Sequence, residues 1–193
     1  MSMITADPKD VPQVEHFAFT PENLEKARAM MANYPAGRQA SAVIGVLDLA
    51  QRQQGWLPRV AMDEVARLLG MAPIRVYEIA TFYTMFQLRP KGRYLLQVCT
   101  TTPCWLRGSD AVMKVCEAAA DGETFSVQEV ECLGACVNAP VVQINDDFYE
   151  DLDGASMTKL LEALRRGETT KPGPQVDRHT SAPAGGPTTL KSE

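Results

Sequence analysis

Residues 94–120 read YLLQVCTTTPCWLRGSDAVMKVCEAAA and contain, in succession, a strand pattern, a pair of cysteines and a helix pattern. Tyr94 to Val98 is a short apolar run typical of a buried strand. Cys99 and Cys104 follow it as a C-x4-C pair. From Arg107 to Ala120 apolar residues recur at helical spacing, which predicts a helix. This order indicates an α/β layer that carries a cysteine loop at the end of its first strand.

The chain beyond this stretch continues the α/β pattern. Phe125 to Val130 is predicted as a strand, and a hairpin is predicted where Val141–Ile144 and Phe148–Tyr149 flank three turn residues. Ser156 to Arg166 has the periodicity of an amphipathic helix. The predicted order is β-α-β-β-β-α, and the part beyond Gly167 is predicted to have no core of its own.

A second cysteine pair, Cys132 and Cys136, has C-x3-C spacing and also follows a predicted strand. Because neighbouring strand ends can lie side by side, the four thiolates of the two pairs could converge on one metal centre. Four thiolates suit zinc or an iron–sulfur cluster. The spacing differs from tight zinc knuckles and from the common ferredoxin runs. A cluster is favoured, while zinc and redox or structural thiols remain open.

The fifth cysteine, Cys116, stands apart from these pairs. It lies on the apolar face of the predicted helix, where a free cysteine behaves as a small buried side chain. We therefore expect it to pack in the core.

The first half of the chain is predicted to be helical. Thr20-Pro21 is a typical helix start, and Gly55 and Gly70 are plausible helix stops. Short connections favour antiparallel packing into a small bundle. The four predicted helices cover about residues 21–34, 39–54, 59–69 and 73–86. The whole chain is predicted as a flexible arm (1–19), a helical bundle domain (20–90), an α/β domain (91–167) and an extended tail (168–193).

Composition excludes several functional classes. The 193 residues carry a net charge of −5, with a pI of about 5.1, so there is no bulk electrostatic argument for nucleic acid as a partner. No apolar run is long enough for a membrane helix, so direct membrane insertion is not expected. The N-terminal region resembles no secretory signal, which favours a reducing compartment where cysteines are more often metal ligands than disulfides.

Three stretches together resemble one known family. They are residues 98–109 (VCTTTPCWLRGS), residues 131–140 (ECLGACVNAP) and residues 75–86 (RVYEIATFYTMF). The chain resembles the 24 kDa-type 2Fe–2S subunit of the NADH-oxidising module of respiratory complex I, NADH:ubiquinone oxidoreductase. The resemblance extends over about residues 18–167.

The resemblance implies an α+β chain in two parts: an N-terminal helical bundle followed by a thioredoxin-like ferredoxin α/β domain. It implies one 2Fe–2S cluster whose ligands are Cys99, Cys104, Cys132 and Cys136, and no catalytic residue. The implied role is electron transfer as a non-autonomous subunit of the proton-translocating NADH:ubiquinone reductase.

The same resemblance implies partners and a location. FMN and NADH would be bound by a partner flavoprotein, and other subunits of the complex I peripheral arm would also be partners. The chain itself contains no G-x-G-x-x-G and no P-loop. The implied location is the cytoplasmic face of the bacterial inner membrane, or the matrix side of a mitochondrion.

Two alternatives accompany this interpretation. Closely similar subunits serve NAD-reducing hydrogenases and NAD-dependent formate dehydrogenases. A more distant alternative is a zinc-stabilised interaction module. The tail is either solvated or an extension that lies against the flavoprotein. The acidic run that includes Glu150, Asp151 and Asp153 is expected to be a solvated hairpin.

Overall fold

The computed structural model describes residues 11–12, 14–183, 185–186 and 189. The predictions for the start of the arm and the end of the tail therefore lie outside the described residues. The chain divides into two compact units, one up to Lys91 and one from Gly92 onward. Within the described part, no helix is long and apolar enough to cross a lipid bilayer.

The first unit contains four helices: α1 (Pro21–Ala32), α2 (Val43–Gln54), α3 (Arg59–Leu69) and α4 (Pro73–Phe82). A 3-10 turn over Gln39–Ala42 precedes α2. The Thr20 hydroxyl accepts a hydrogen bond from the backbone N–H of Asn23 at 3.2 Å, which caps α1 as predicted. Helices α2 and α3 end, as predicted, at Gly55 and Gly70 in left-handed conformation.

Two predictions for this unit are wrong. Helix α4 ends at Phe82 rather than Phe86, because Tyr83 adopts an extended backbone conformation. Phe86 is nevertheless buried, so its apolar spacing reflected the core and not the helix. Phe17 and Phe19, placed in the flexible arm by the sequence, are buried with an edge-to-face contact of 5.2 Å between ring centroids.

One apolar core holds the helices of the first unit together. Its members come from all four helices and from the segments that flank them. The fully buried side chains include Ala27, Val46, Leu47, Ala50, Leu57, Ala61, Val65 and Val76.

The second unit is built on a five-stranded sheet in the order β2-β1-β3-β4-β5. The strands are β1 (Tyr94–Cys99), β2 (Phe125–Val130), β3 (Val142–Ile144), β4 (Asp147–Glu150) and β5 (Gly173–Pro174). The β1–β2 and β4–β5 pairs are parallel, whereas β3 is antiparallel to both β1 and β4. Parallel strands need a long crossover connection, and helices supply it between β1 and β2.

Three helices accompany the sheet: α5 (Thr102–Leu106), α6 (Ser109–Ala119) and α7 (Gly154–Arg165). The helix predicted from Arg107 to Ala120 corresponds to α6, and the sequence did not predict α5, which precedes it. Helix α7 begins with a capping box in which Asp153 and Ser156 exchange hydrogen bonds.

The sheet and helices of the second unit enclose an apolar core. Cys116 is completely buried in it, as predicted. Other fully buried members are Leu96, Val98, Val112, Phe125, Val142 and Met157. Burial raises the pKa of the Cys116 thiol to about 12, so this cysteine stays protonated and unreactive.

The beginning of the tail belongs to the second unit. Gly173 and Pro174 pair with Tyr149 and Glu150 of β4. The N–H of Gln175 donates to the carbonyl of Glu150 at 2.9 Å. The segment predicted to have no core of its own thus pairs with the sheet of the second unit, because an edge strand offers free backbone groups to any nearby extended chain.

Candidate metal centre

Two parallel strands place the two cysteine pairs at one edge of the sheet. Cys99 is the last residue of β1 and lies opposite Val130, the last residue of β2. Cys132 comes two residues after β2 ends. The expectation that neighbouring strand ends bring the two loops together is confirmed.

The first pair is buried. Cys99 is 2% exposed and Cys104, in the middle of α5, is 1% exposed. Their thiols share a hydrogen bond. Ala139 and Val141 pack against both cysteines and form a small apolar cluster around them. The fold therefore isolates this pair from water on the protein side.

The second pair is exposed. The Sγ atoms of Cys132 and Cys136 lie 3.3 Å apart. Gly134 has a φ of +81°, a conformation that residues with a Cβ rarely adopt, and its N–H points to Cys132 Sγ at 3.4 Å. The glycine between the two cysteines thus lets the loop close around the thiols and supplies a donor to one of them.

One hydroxyl links the two pairs. The Thr101 hydroxyl lies 3.1 Å from Cys99 Sγ and also interacts with Cys132. Cys99 interacts electrostatically with both Cys132 and Cys136. The four thiols therefore form one site made of two pairs.

Within each pair the fold favours one thiolate and one thiol. Burial raises the pKa of Cys99, but hydrogen bonds from Thr101 and from the backbone of Leu133 outweigh it, and the net pKa is lowered. The N–H of Gly134 lowers the pKa of Cys132, and the hydrogen bond from Cys136 lowers it further. Two thiolates are thus stabilised before any metal binds.

The partner thiols shift the other way. Burial, together with the hydrogen bond to Cys99, raises the pKa of Cys104 to about 12. The hydrogen bond to Cys132, followed by burial, raises the pKa of Cys136. A metal ion would displace the protons of the thiols it binds, because metals bind the thiolate form.

The donor arrangement fits a binuclear cluster better than a single ion. Among the described residues, no group of three or more Cys, His, Asp or Glu side chains is arranged to hold one metal ion. Two thiol pairs match the ligand set of a binuclear cluster, in which two thiolates hold each iron. The N–H and hydroxyl donors around the sulfurs are those that stabilise the negative charge of such a cluster.

Exposed apolar side chains follow or adjoin the cysteines in the sequence. Trp105 is 57% exposed, Leu106 71% and Val137 68%. Large exposed apolar side chains in one region are typical of a surface that another molecule covers.

The sequence did not single out three contributors to the site. Thr101 has no separate signal within its loop, although a hydroxyl two residues after a cysteine is well placed to reach its sulfur. Asn138 has no signal beyond its place in the motif of residues 131–140. Arg178 belongs to the predicted tail, and no local pattern in the sequence indicates that its side chain is buried beside Asn138.

Comparison with known proteins identifies the fold of this site. The family model of the thioredoxin-like [2Fe-2S] ferredoxin matches residues 27–165. The chain is similar in fold to an NAD+-reducing [NiFe]-hydrogenase, with a TM-score of 0.55 and 23% identity over 65% of this chain and 23% of that chain.

Curated relatives are much closer in sequence. An NADH-quinone oxidoreductase subunit of Rickettsia prowazekii is 57% identical over 76% of this chain and 88% of the relative. NADH dehydrogenase [ubiquinone] flavoprotein 2, mitochondrial, of Dictyostelium discoideum is 50% identical over 90% of this chain and 74% of the relative. The chain therefore belongs to the thioredoxin-like [2Fe-2S] ferredoxin family and, within it, to the group formed by these NADH-quinone oxidoreductase subunits.

Proposed function

We propose that this chain is the electron-transfer subunit of an NADH:quinone oxidoreductase, in which it carries one 2Fe–2S cluster. The observation that supports this most directly is the convergence of two thiol pairs at adjoining ends of β1 and β2. Cys99 and Cys104 would bind one iron, and Cys132 and Cys136 the other. When bound, the cluster supplies reversible one-electron transfer.

The residues of the chain would tune that site in three ways. Burial of Cys99 and Cys104 excludes water from one side. The N–H of Gly134 and the hydroxyl of Thr101 direct positive dipoles at sulfur, which favours added negative charge. Exposure of Cys132 and Cys136 leaves the other side open to a redox partner.

The partner would be a flavoprotein that binds NADH and FMN, with further peripheral-arm subunits around it. NADH delivers two electrons together, whereas an iron–sulfur cluster accepts one at a time, and a flavin converts between the two. The chain contains neither of the two common nucleotide-binding glycine motifs, which agrees with this division of labour. As part of that complex, the subunit would lie on the cytoplasmic face of a bacterial inner membrane.

Metal analysis of the anaerobically purified full chain tests the cluster. We expect two irons and two acid-labile sulfides per chain, with an EPR signal that appears only on reduction. Cys132→Ala should lose both iron and sulfide, whereas Cys116→Ala, which removes a thiol from an apolar cluster separate from that of Cys99 and Cys104, should retain them. Zinc without sulfide in the wild-type chain, after failed reconstitution, would refute the proposal.

Co-purification tests the partner. The tagged full chain should retain a flavoprotein from membranes of its source, and NADH should reduce the EPR-active cluster in that complex. Co-purification with a hydrogenase or a formate dehydrogenase large subunit would instead assign the chain to one of those assemblies.

A further inference from the structure

The segment after α7 is hydrogen-bonded to the residues that follow Cys136 in the exposed cysteine loop. We define residues 170–180 as the C-terminal arm. The hydroxyls of Thr170 and Tyr149 share a hydrogen bond of 2.6 Å, and Gln175 extends the pairing of β5 with β4. The arm therefore runs beside β4 and reaches the residues that follow Cys136.

Arg178 is the one arginine of the arm, and its side chain is only 8% exposed. Its Nη1 donates to the carbonyl of Val137 at 3.3 Å and to the side-chain oxygen of Asn138. The same nitrogen lies 3.4 Å from Oδ1 of Asp151, whose side chain is 9% exposed. The expectation that this part of the acidic run is solvated is therefore wrong for Asp151.

Asn138 is held from every side. It is 3% exposed, and its amide nitrogen donates to the carboxylate of Glu150 and to the carbonyl of Thr180 at 3.1 Å. Its own carbonyl accepts the N–H of Asp151 at 2.7 Å. Asn138 ends the short 3-10 turn that begins at Cys136. Because Asn138 is held by these hydrogen bonds, the backbone of the 3-10 turn that carries the Cys136 thiol is held as well.

The energetics of the Arg178–Asp151 ion pair favour a role in positioning the backbone over a role in stabilising the fold. Two buried charges lose their hydration, and Nε of Arg178 and Oδ2 of Asp151 have no hydrogen-bond partner among the described residues. A buried ion pair with unsatisfied atoms is weak evidence for net stabilisation, and its best-attested use is to specify one arrangement. Here the arrangement specified is that of the backbone at Val137 and Asn138.

We infer that Arg178 is a positioning residue for the cysteine loop. Its hydrogen bonds to the Val137 carbonyl and the Asn138 side chain hold Cys136 in one position. In the proposed function, which this inference deepens, the C-terminal arm keeps the exposed half of the site as ordered as the buried half. Because one nitrogen serves three acceptors, a lysine at position 178 can replace the arginine in part.

The test compares three full-length variants. Arg178→Met keeps the length and removes the donors, Arg178→Lys restores the charge, and Arg166→Met is a matched control that breaks an exposed pair with Glu168. In reconstituted protein, we expect Arg178→Met to broaden or shift the EPR signal and to lose iron to a chelator about tenfold faster, the low end of the scale of one charged hydrogen bond. Arg178→Lys should return most of both properties, and Arg166→Met should match the wild type.

Hydrogen exchange of the cluster-free chains separates this inference from the proposed function. Amides of residues 136–139 and 175–178 should be protected in the wild type and in Arg166→Met, and both segments should exchange faster in Arg178→Met. That result supports the positioning role of Arg178 even if the wild type binds no cluster. Unprotected amides at 136–139 in the wild type, or a folded Arg178→Met chain that matches the wild type in exchange, EPR signal and iron loss, would overturn it. The wild-type measurement keeps the test valid if Arg178→Met does not fold.

Discussion

The two cysteine pairs have the same ligand chemistry but opposite surroundings. Cys99 and Cys104 are buried in an apolar cluster, with Cys104 on a helix. Cys132 and Cys136 are exposed on a loop that contains a 3-10 turn. The buried pair is ordered by packing, whereas the exposed pair depends on a hydrogen bond from Gly134 and on the residues that form hydrogen bonds with Asn138. One half of the site is built to keep water out, and the other half is left open to a partner.

The largest expected difference between the pairs is their reactivity in the cluster-free chain. At pH 7.5, we expect iodoacetamide to modify Cys132 about a hundredfold faster than Cys104, because alkylation requires an exposed thiolate. The rate at Cys132 should level off at a lower pH than that of an ordinary cysteine, because its pKa is lowered, while Cys104, with a pKa of about 12, should continue to gain reactivity. Peptide mass spectrometry after timed quenching measures both rates. Buried Cys116 is the slow-reacting control, and equal rates at Cys104 and Cys132 would refute the contrast.

Two valines, one beside the buried cysteine pair and one beside the exposed cysteine pair, test how much packing holds each pair. Val141 is 1% exposed and packs against the buried cysteines, whereas Val137 next to Cys136 is 68% exposed. Val141→Ala should lower the free energy of unfolding by about 2 kcal/mol, because it removes buried methyl groups and leaves a cavity. Val137→Ala should change it by less than about 0.5 kcal/mol. Denaturant unfolding of the two variants gives the comparison, and similar losses would mean that the exposed loop is also held by packing.

Adjacent threonines test the hydroxyl that links the pairs. Thr101→Val removes the donor at 3.1 Å from Cys99 and should raise the pKa of that thiol. The same hydroxyl lowers the pKa of exposed Cys132, so alkylation of Cys132 at neutral pH should slow by about threefold, the effect of one modest hydrogen bond. Thr100→Val is the control, since the Thr100 hydroxyl donates to Glu129 and not to sulfur. A slower Cys132 in both variants would show that the effect comes from the loop and not from the hydroxyl.

The smallest expected effect concerns the turn that leads into β2 and thus to the exposed pair. The backbone N–H of Phe125, with help from Thr124 and Glu123, lowers the pKa of Asp121 from 3.8 to about 2. Since the folded-state pKa is depressed, this stabilisation is complete above the unfolded-state pKa and is lost as the pH falls through about 2.

The measurement for this turn is the urea midpoint at pH 5 and at pH 2.5. The wild type should lose more stability between these two pH values than Asp121→Asn, because asparagine has no charge to lose. Arg165→Met removes the exposed ion pair of Asp121, a hydrogen bond to the Ala119 carbonyl and a contact with the Phe125 ring, but it leaves the backbone donors to Asp121 in place, so its pH dependence should match that of the wild type. An Asp121→Asn chain with the same pH dependence as the wild type would contradict the role of this carboxylate.

Much of the secondary structure follows from local sequence signals. Thr20, Gly55 and Gly70 fix helix ends because their side chain or backbone conformation acts within a few residues. Helix α5 begins with the same Thr-Pro dipeptide as α1, but its sequence TPCWL is five residues long and too short for periodicity to be recognised. Phe86 extends the apolar spacing of α4 without being helical, since burial alone produces the same pattern, whereas Tyr83 is 41% exposed.

The sequence by itself determined the chemistry of the site: four thiols in two pairs, each directly after a strand, with a small glycine in the second loop. These features depend on residue type and short spacing, which the chain carries locally. Only the tertiary structure decided which pair is buried and which is exposed, that Thr101 contacts both, and that Arg178 reaches Asn138. Those properties depend on how strands β1 and β2 align and on where the C-terminal arm returns, and contacts between residues so distant along the chain leave no local pattern.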